Sequence, residues 1–127
     1  MRRRGAPAPV AAEILADLIA RGHLDDAAFA RHWVATRSAR GYGPARLRAE
    51  LRARGVPESL VDAALSAQGD DELERARAVA RRRLPALQRA DRTRAAARLR
   101  DHLVRRGYST VVVARVVRES VGLQLED

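Results

Sequence analysis

One spacing occurs twice in this chain, and it limits the fold more than any other feature. Leu47, Leu51 and Gly55 stand four residues apart, and Leu99, Leu103 and Gly107 repeat that spacing 52 positions later. Leucines at i and i+4 share one face of a helix, and a glycine one turn further on is a common C-terminal stop. An apolar helix signal follows each glycine, with Leu65 and Val117 ten residues beyond. The recurrence predicts a duplicated unit of three helices and about 50 residues. Shifting back by 50 from Gly55 reaches Gly5, with Val10 matching Leu60 and Leu15 matching Leu65. The N-terminus therefore reads as the tail of another unit whose beginning is incomplete.

Helical patterning agrees with this along most of the chain. Pro7 and Pro9 delay the first helix to about Val10, after which Ile14, Leu15, Leu18 and Ile19 mark one face up to Gly22. Asp25 is the expected N-cap of a second helix, whose Phe29 and Trp33 stand one turn apart and which stops near Arg40. Pro44 opens a third helix that ends at Gly55, and Pro57 opens a fourth that fades before Gly69. In the fifth, Asp71, Glu72 and Glu74 suit the N-terminal end of the helix dipole and Arg81, Arg82 and Arg83 the C-terminal end. Pro85 closes or kinks it. A sixth helix spans Arg92 to Arg106, and the last runs from Ser109 to about Ser120. Val111, Val112 and Val113 have strand propensity, but the repeat assigns them to a helix.

The expected architecture is all-α: an elongated tandem array of three-helix repeats with about seven helices. Residues 1–21 would be the remnant of a first repeat, 22–68 a second and 69–127 a third. A chain of 127 residues with 46% hydrophobic and 3% aromatic content suits helices packed through small side chains in a single domain. The absence of cysteine removes disulfides, thiol catalysis and cysteine-ligated zinc. No apolar run approaches the roughly 20 residues that span a bilayer. Met1-Arg2-Arg3-Arg4 is followed by Gly5, Ala6 and Pro7, not by a secretory apolar core. A soluble, cytoplasmic protein without a membrane partner is expected.

Charge points to the partner. There are 25 basic residues, all arginine, against 16 acidic ones, for a net charge of +9. Guanidinium groups bind phosphate and carboxylate bidentately, so anionic partners are expected. Between Arg37 and Gly55 six arginines face a single acid, Glu50, and between Arg75 and Arg106 twelve face Asp91 and Asp101. For any one arginine the plainer reading is a solvated helix surface, partly neutralised by pairs such as Arg46 or Arg54 with Glu50. Collectively such a surface attracts nucleic acid in a salt-dependent way. The candidate contacts are Arg37, Arg40, Tyr42, Arg46, Arg48, Arg52, Arg54, Arg94, Arg98, Arg105 and Arg106. Tyr42, in the Gly41-Tyr42-Gly43-Pro44 turn, is a candidate for base stacking, although packing that locks the turn is the stronger reading. His23, Asp25 and Asp26 do not converge as metal ligands, and His32 and His102 lack companions. No catalytic constellation and no phosphate-cradling glycine loop is present. No enzyme activity, cofactor or metal is expected.

These residues resemble the RecX family of bacterial regulators of the RecA recombinase. The first signature is Gly22-His23-Leu24-Asp25-Asp26 with Phe29-Ala30 and Trp33-Val34; the second is the stretch from Arg37 to Gly55; the third is Leu103 to Ser109. His23 stands where the family usually has an aromatic residue. The resemblance implies a non-enzymatic modulator that lies in the groove of a RecA–DNA filament, and the chain is expected to be a monomer. There it would lower ATP hydrolysis, strand exchange and co-protease activity, and so restrain recombination and the DNA-damage response. A standalone helical DNA-binding regulator is the alternative.

Overall fold

The computed structural model of the chain describes residues 8–69, 71–87, 89 and 91–126, and among them every regular element is a helix. There are six: α1 (Ala8–Ala39), α2 (Pro44–Ala53), α3 (Glu58–Ala67), α4 (Glu72–Leu87), α5 (Arg92–Arg106) and α6 (Thr110–Glu126). The valine run lies inside α6, which continues six residues past Ser120. The match to Gly5 lies outside the described residues.

The expected break at Gly22 does not exist, so six helices replace seven. α1 is continuous over 32 residues, and Asp25 lies in its interior instead of capping a new helix. A glycine inside a helix costs only about 1 kcal/mol relative to alanine. Gly41 and Gly55 carry a second stop signal, since Pro44 and Pro57 follow within three residues. No proline follows Gly22 before Pro44, and the helix runs through it. Pro85 likewise falls within α4, which extends to the buried Leu87.

Two separate cores form. In the first, Ala30 and Val34 of α1 pack with Leu47 and Leu51 of α2, Val56, and Leu60, Val61 and Ala64 of α3. In the second, Ala76, Val79 and Ala80 of α4 pack with Ala95, Leu99 and Leu103 of α5 and with Val113, Val116 and Val117 of α6. The correspondence is positional. Ala30 and Val34 take the place of Ala76 and Ala80, the leucine pairs take each other's place, and Val61 and Ala64 answer to Val113 and Val116.

The second helix of each unit also ends in the same way. Gly55 and Gly107 have φ of 83° and 99°, a left-handed conformation that residues with a Cβ resist. The amides of Val56 and Tyr108 donate to the carbonyls of Leu51 and Leu103 at 3.1 and 3.2 Å. Those of Gly55 and Gly107 donate to Arg52 and Val104 at 2.9 and 3.0 Å. Both are Schellman caps, built from matching residues.

Candidate partner-binding surface

The Gly41–Pro44 turn is where the two units meet. The last carbonyls of α5 have no partner within their own helix, and neither do the first amides of α2. Each set supplies the other. The amide of Gly43 donates to the Arg106 carbonyl at 2.6 Å and that of Ala45 to the Gly107 carbonyl at 2.9 Å. The Arg46 guanidinium donates to the Arg105 carbonyl at 3.2 Å and that of Arg106 returns to the Arg40 carbonyl at 2.9 Å. Beneath them the Tyr108 hydroxyl donates to the Gly41 carbonyl at 2.7 Å. Burial raises the Tyr108 phenol to about 12, so it keeps its proton throughout the neutral range.

This contact leaves no room for side chains on the backbone. A Cβ on Gly43 would come within 2.6 Å of the Gly107 carbonyl carbon and oxygen, and one on Gly107 within 2.5 Å of the Arg46 amide nitrogen. Gly43 has an ordinary φ of −92°, so close approach and not backbone conformation demands glycine there. Gly55, the repeat counterpart of Gly107, has open space around it. The backbone turn is duplicated; the docking is not.

Several of the candidate contact residues are committed to this joint. The Tyr42 ring meets the guanidinium groups of Arg37, Arg46 and Arg106, each 4.5 Å from its centroid, an arrangement stabilised by the ring quadrupole. Glu50 offsets the crowding of positive charge. One of its oxygens accepts from Arg37 Nε at 2.7 Å and Trp33 Nε1 at 2.9 Å, the other from Arg37 Nη2 at 2.9 Å and Arg46 Nε at 3.2 Å. Burial works to raise the Glu50 pKa, but the bonds from Arg37, Trp33 and Arg46 outweigh it and hold the carboxyl below its usual range. Arg54 does not pair with Glu50; its guanidinium lies 4.4 Å from the Trp33 centroid and 5.6 Å from that of Phe29.

Arg48 and Arg52 are occupied as well. Arg48 reaches Glu58 and, at 2.6 Å, Asp62, while Arg52 grips Glu58 at 2.7 and 3.0 Å. These bonds tie α2 to α3. In the other unit, Arg77 holds Glu119 at 2.9 and 2.8 Å and also contacts Glu74. The bonds from Arg77, aided by Arg115, draw the Glu119 carboxyl down to about 2.

Most of the free positive charge lies on α4 and α5, with Arg31, Arg40 and Arg118 exposed elsewhere. Among the described residues, Arg98 and Arg105 are exposed and have no acidic side chain at ion-pairing distance, and the same holds for Arg81, Arg82, Arg83 and Arg100. Arg94, Arg98 and Arg105 share a face of α5 by their spacing of four and seven. Arg94 is partly engaged, because Asp91 caps α5 by accepting from the Arg94 amide at 2.9 Å and stands 3.7 Å from its side chain. Arg40 is exposed at the joint. His102 is half-buried beside this field; burial first, then Arg83, Arg106 and Arg105, push its pKa below the ordinary value. Sequence reasoning left Arg81, Arg82, Arg83 and Arg100 out of the candidate set. It also missed the hub role of Glu50, although a single acid among six arginines was the available signal.

A cleft of about 680 Å³ also separates the units, walled by Val34, Leu47 and Leu65 on one side and Leu73 and Val112 on the other. Among the described residues no group of three or more metal-ligating side chains converges, and no helix is long and apolar enough to cross a membrane.

Residues 25–65 match the family model for the second three-helix domain of RecX, and residues 70–117 match that for the third. This chain belongs to the RecX family. It is 37% identical over its whole length to the regulatory protein RecX of Streptomyces coelicolor, covering 69% of that protein. It is 41% identical to that of Thermobifida fusca over 95% of the chain and 66% of the relative, and 40% identical to that of Halorhodospira halophila over 86% and 67%. The chain thus spans about two thirds of the length of these RecX relatives. No solved structure matches it significantly. The two matched segments coincide with the two cores, so the RecX units and the physical packing units are the same objects.

Proposed function

We propose that this RecX-family chain is a cytoplasmic negative regulator that binds the groove of the RecA–DNA filament and lowers its ATPase, strand-exchange and co-protease activities. The observation that carries this reading is the coupling of two RecX units by a joint built from backbone hydrogen bonds and close-packed glycine. Such a joint holds two binding faces at one spacing and orientation, as a ligand of a regular polymer requires. Residues 1–21 are read as the last helix of an earlier unit, followed by units 22–68 and 69–127; the two separate cores support that division.

The contact is assigned first to Arg98 and Arg105, with Arg94 and Arg40 beside them and Arg81, Arg82, Arg83 and Arg100 added. Arg37, Tyr42, Arg46 and Arg106 contribute by fixing the joint, and Arg48, Arg52 and Arg54 by fixing their own unit. The test adds the purified chain to RecA, ATP and single-stranded DNA. ATP hydrolysis and strand exchange should both fall, and unchanged rates with excess folded chain would overturn the proposal. A standalone DNA-binding role is the second reading, favoured by the unpaired arginines of α4 and α5. Tight, sequence-dependent binding to protein-free DNA would promote it, whereas weak, salt-sensitive binding fits the first reading.

A further inference from the structure

The cleft between the units differs in chemistry from the rest of this basic chain. At about 680 Å³ it has the size of pockets that enclose a small ligand or a few side chains. Of its apolar walls, Leu65, Leu73 and Val112 are only part-buried, so apolar surface stays open to the cleft. The charged residues that line it cancel: Arg48 and Arg75 against Asp62 and Glu72. Arg48 holds Asp62 at 2.6 Å, Arg75 stands 3.9 Å from Asp71 and donates to the Gln68 carbonyl at 3.4 Å, and Glu72 accepts from the Ser109 amide at 2.7 Å. Such a rim offers a polyanion nothing to hold, in a chain of net charge +9. Ser38 is the one loose end. It is 4% exposed on the cleft wall, and its hydroxyl has no hydrogen-bond partner among the described residues, whereas that of Thr36 donates to the His32 carbonyl at 2.6 Å. A buried hydroxyl calls for a partner, and on this wall an occupant of the cleft can supply one.

We propose that the cleft receives a loop of the filament's protein, which sets one or two apolar side chains between the units and a backbone polar group against Ser38. This contact makes the chain prefer a protein-coated strand to bare DNA. The assignment rests on the filament reading, and the geometry of α2 supports it. At about 100° per residue, Pro44, Leu47 and Arg48 lie on the cleft side of α2, whereas Ala45 and Arg46, which meet the end of α5, lie on the other. Among the described residues, none that lines the cleft comes from α5. The chain thus has two unlike faces. Unpaired arginines on α5 suit phosphate, and the cleft suits neutral polypeptide. Bare nucleic acid satisfies only the first, while a nucleoprotein filament offers both. A helix with its side chains is about 10–12 Å across and would not enter a space of this volume, so the segment is a loop tip. The two walls belong to different units, and the backbone bonds at Gly43 and Gly107 fix the distance between them.

The experiment measures, by anisotropy of the labelled full chain, its affinity for filaments of RecA on single-stranded DNA with a non-hydrolysed ATP analogue, and for the same strand without RecA. Ser66→Trp sets an indole over the cleft from an exposed position near the end of α3. Ser38→Ala removes the hydroxyl and little else. Neither changes the charge. Ser66→Trp should lower filament affinity on the order of tenfold and leave affinity for the bare strand unchanged. Ser38→Ala should lower filament affinity about fivefold while raising the melting temperature of the free chain, opposite signs that a purely structural role would not give. Circular dichroism checks that both variants stay helical. Filament affinity untouched by both substitutions would overturn the proposal and leave the filament reading standing. Equal losses on filament and bare strand would also overturn it, by assigning the cleft to nucleic acid. A wild-type chain that grips the bare strand as tightly as the filament would overturn the filament reading, and this assignment with it.

Discussion

Tyr108 donates its hydroxyl to the carbonyl of Gly41 at 2.7 Å, a buried bond between residues 67 positions apart. Its repeat counterpart is Val56, which has no hydroxyl. The bond therefore belongs to the junction between units and not to the unit itself. Tyr108→Phe keeps the ring and strands the carbonyl, so stability should fall by about 1–3 kcal/mol. Urea unfolding followed by circular dichroism and by Trp33 fluorescence measures this. An unmoved midpoint would remove the bond from the account of the joint.

Gly107→Ala and Gly55→Ala form a controlled pair. Both place a Cβ on left-handed backbone, for about 1–2 kcal/mol, but only Gly107 also meets the Arg46 backbone. The Gly107 variant should lose about 1–3 kcal/mol more and should show separated transitions for the two units. Equal losses would mean that the joint tolerates a methyl group.

Acid should unfold the protein through its paired carboxyls. The Glu119 carboxyl is drawn from 4.5 to about 2 and that of Glu50 is lowered too, so between those limits the unfolded chain binds more protons than the native one. Stability is then fully present above about pH 4.5 and is lost as pH falls toward 2. Thermal melts across this range should show the decline, and Glu119→Gln should flatten it. A variant with the same slope would place the acid sensitivity elsewhere.

His102 should report polyanion binding. Burial and the neighbouring Arg83, Arg106 and Arg105 hold it neutral at pH 7, and a phosphate backbone laid against those arginines would offset their charge and favour the protonated ring. Affinity for single-stranded DNA, read by anisotropy, should rise as pH falls below about 6.5, and His102→Gln should remove the dependence. The same slope in that variant would separate His102 from the bound surface.

Charge reversal should sort bound arginines from free ones. Arg48→Glu with Arg52→Glu sets new carboxylates against Glu58 and Asp62, so the α2–α3 pairing turns repulsive and the melting temperature falls. Arg98→Glu with Arg105→Glu should leave stability within about 0.5 kcal/mol and weaken filament binding. Filament affinity unchanged by that second pair would take α5 out of the interface.

Local pattern carried most of the architecture. The caps at Gly55 and Gly107, the start of α2 at Pro44, the bounds of α5 and the helical valines were all legible, because each depends on residues within one turn or on a spacing that recurs. Gly22 misled for the same reason: a glycine alone is a weak stop signal, since inside a helix it costs only about 1 kcal/mol relative to alanine. The candidate site was less legible. Arginines that look alike in sequence differ in whether Glu50, Glu58, Asp62 or an aromatic ring lies nearby, and of those only Glu50 stands within the same arginine-rich stretch.

By itself the sequence determined an all-helical, duplicated, strongly basic chain of the RecX kind, since helix periodicity, capping and net charge are properties of short stretches and sums. Tertiary structure alone decided that the Gly41–Pro44 turn is a joint and that most of the free charge lies on α4 and α5. The joint depends on atoms that meet across some 60 positions, as Arg106 meets Arg40, and the free charge on which arginines find a carboxylate in another helix, as Arg77 finds Glu119; such partners follow from packing and not from pattern.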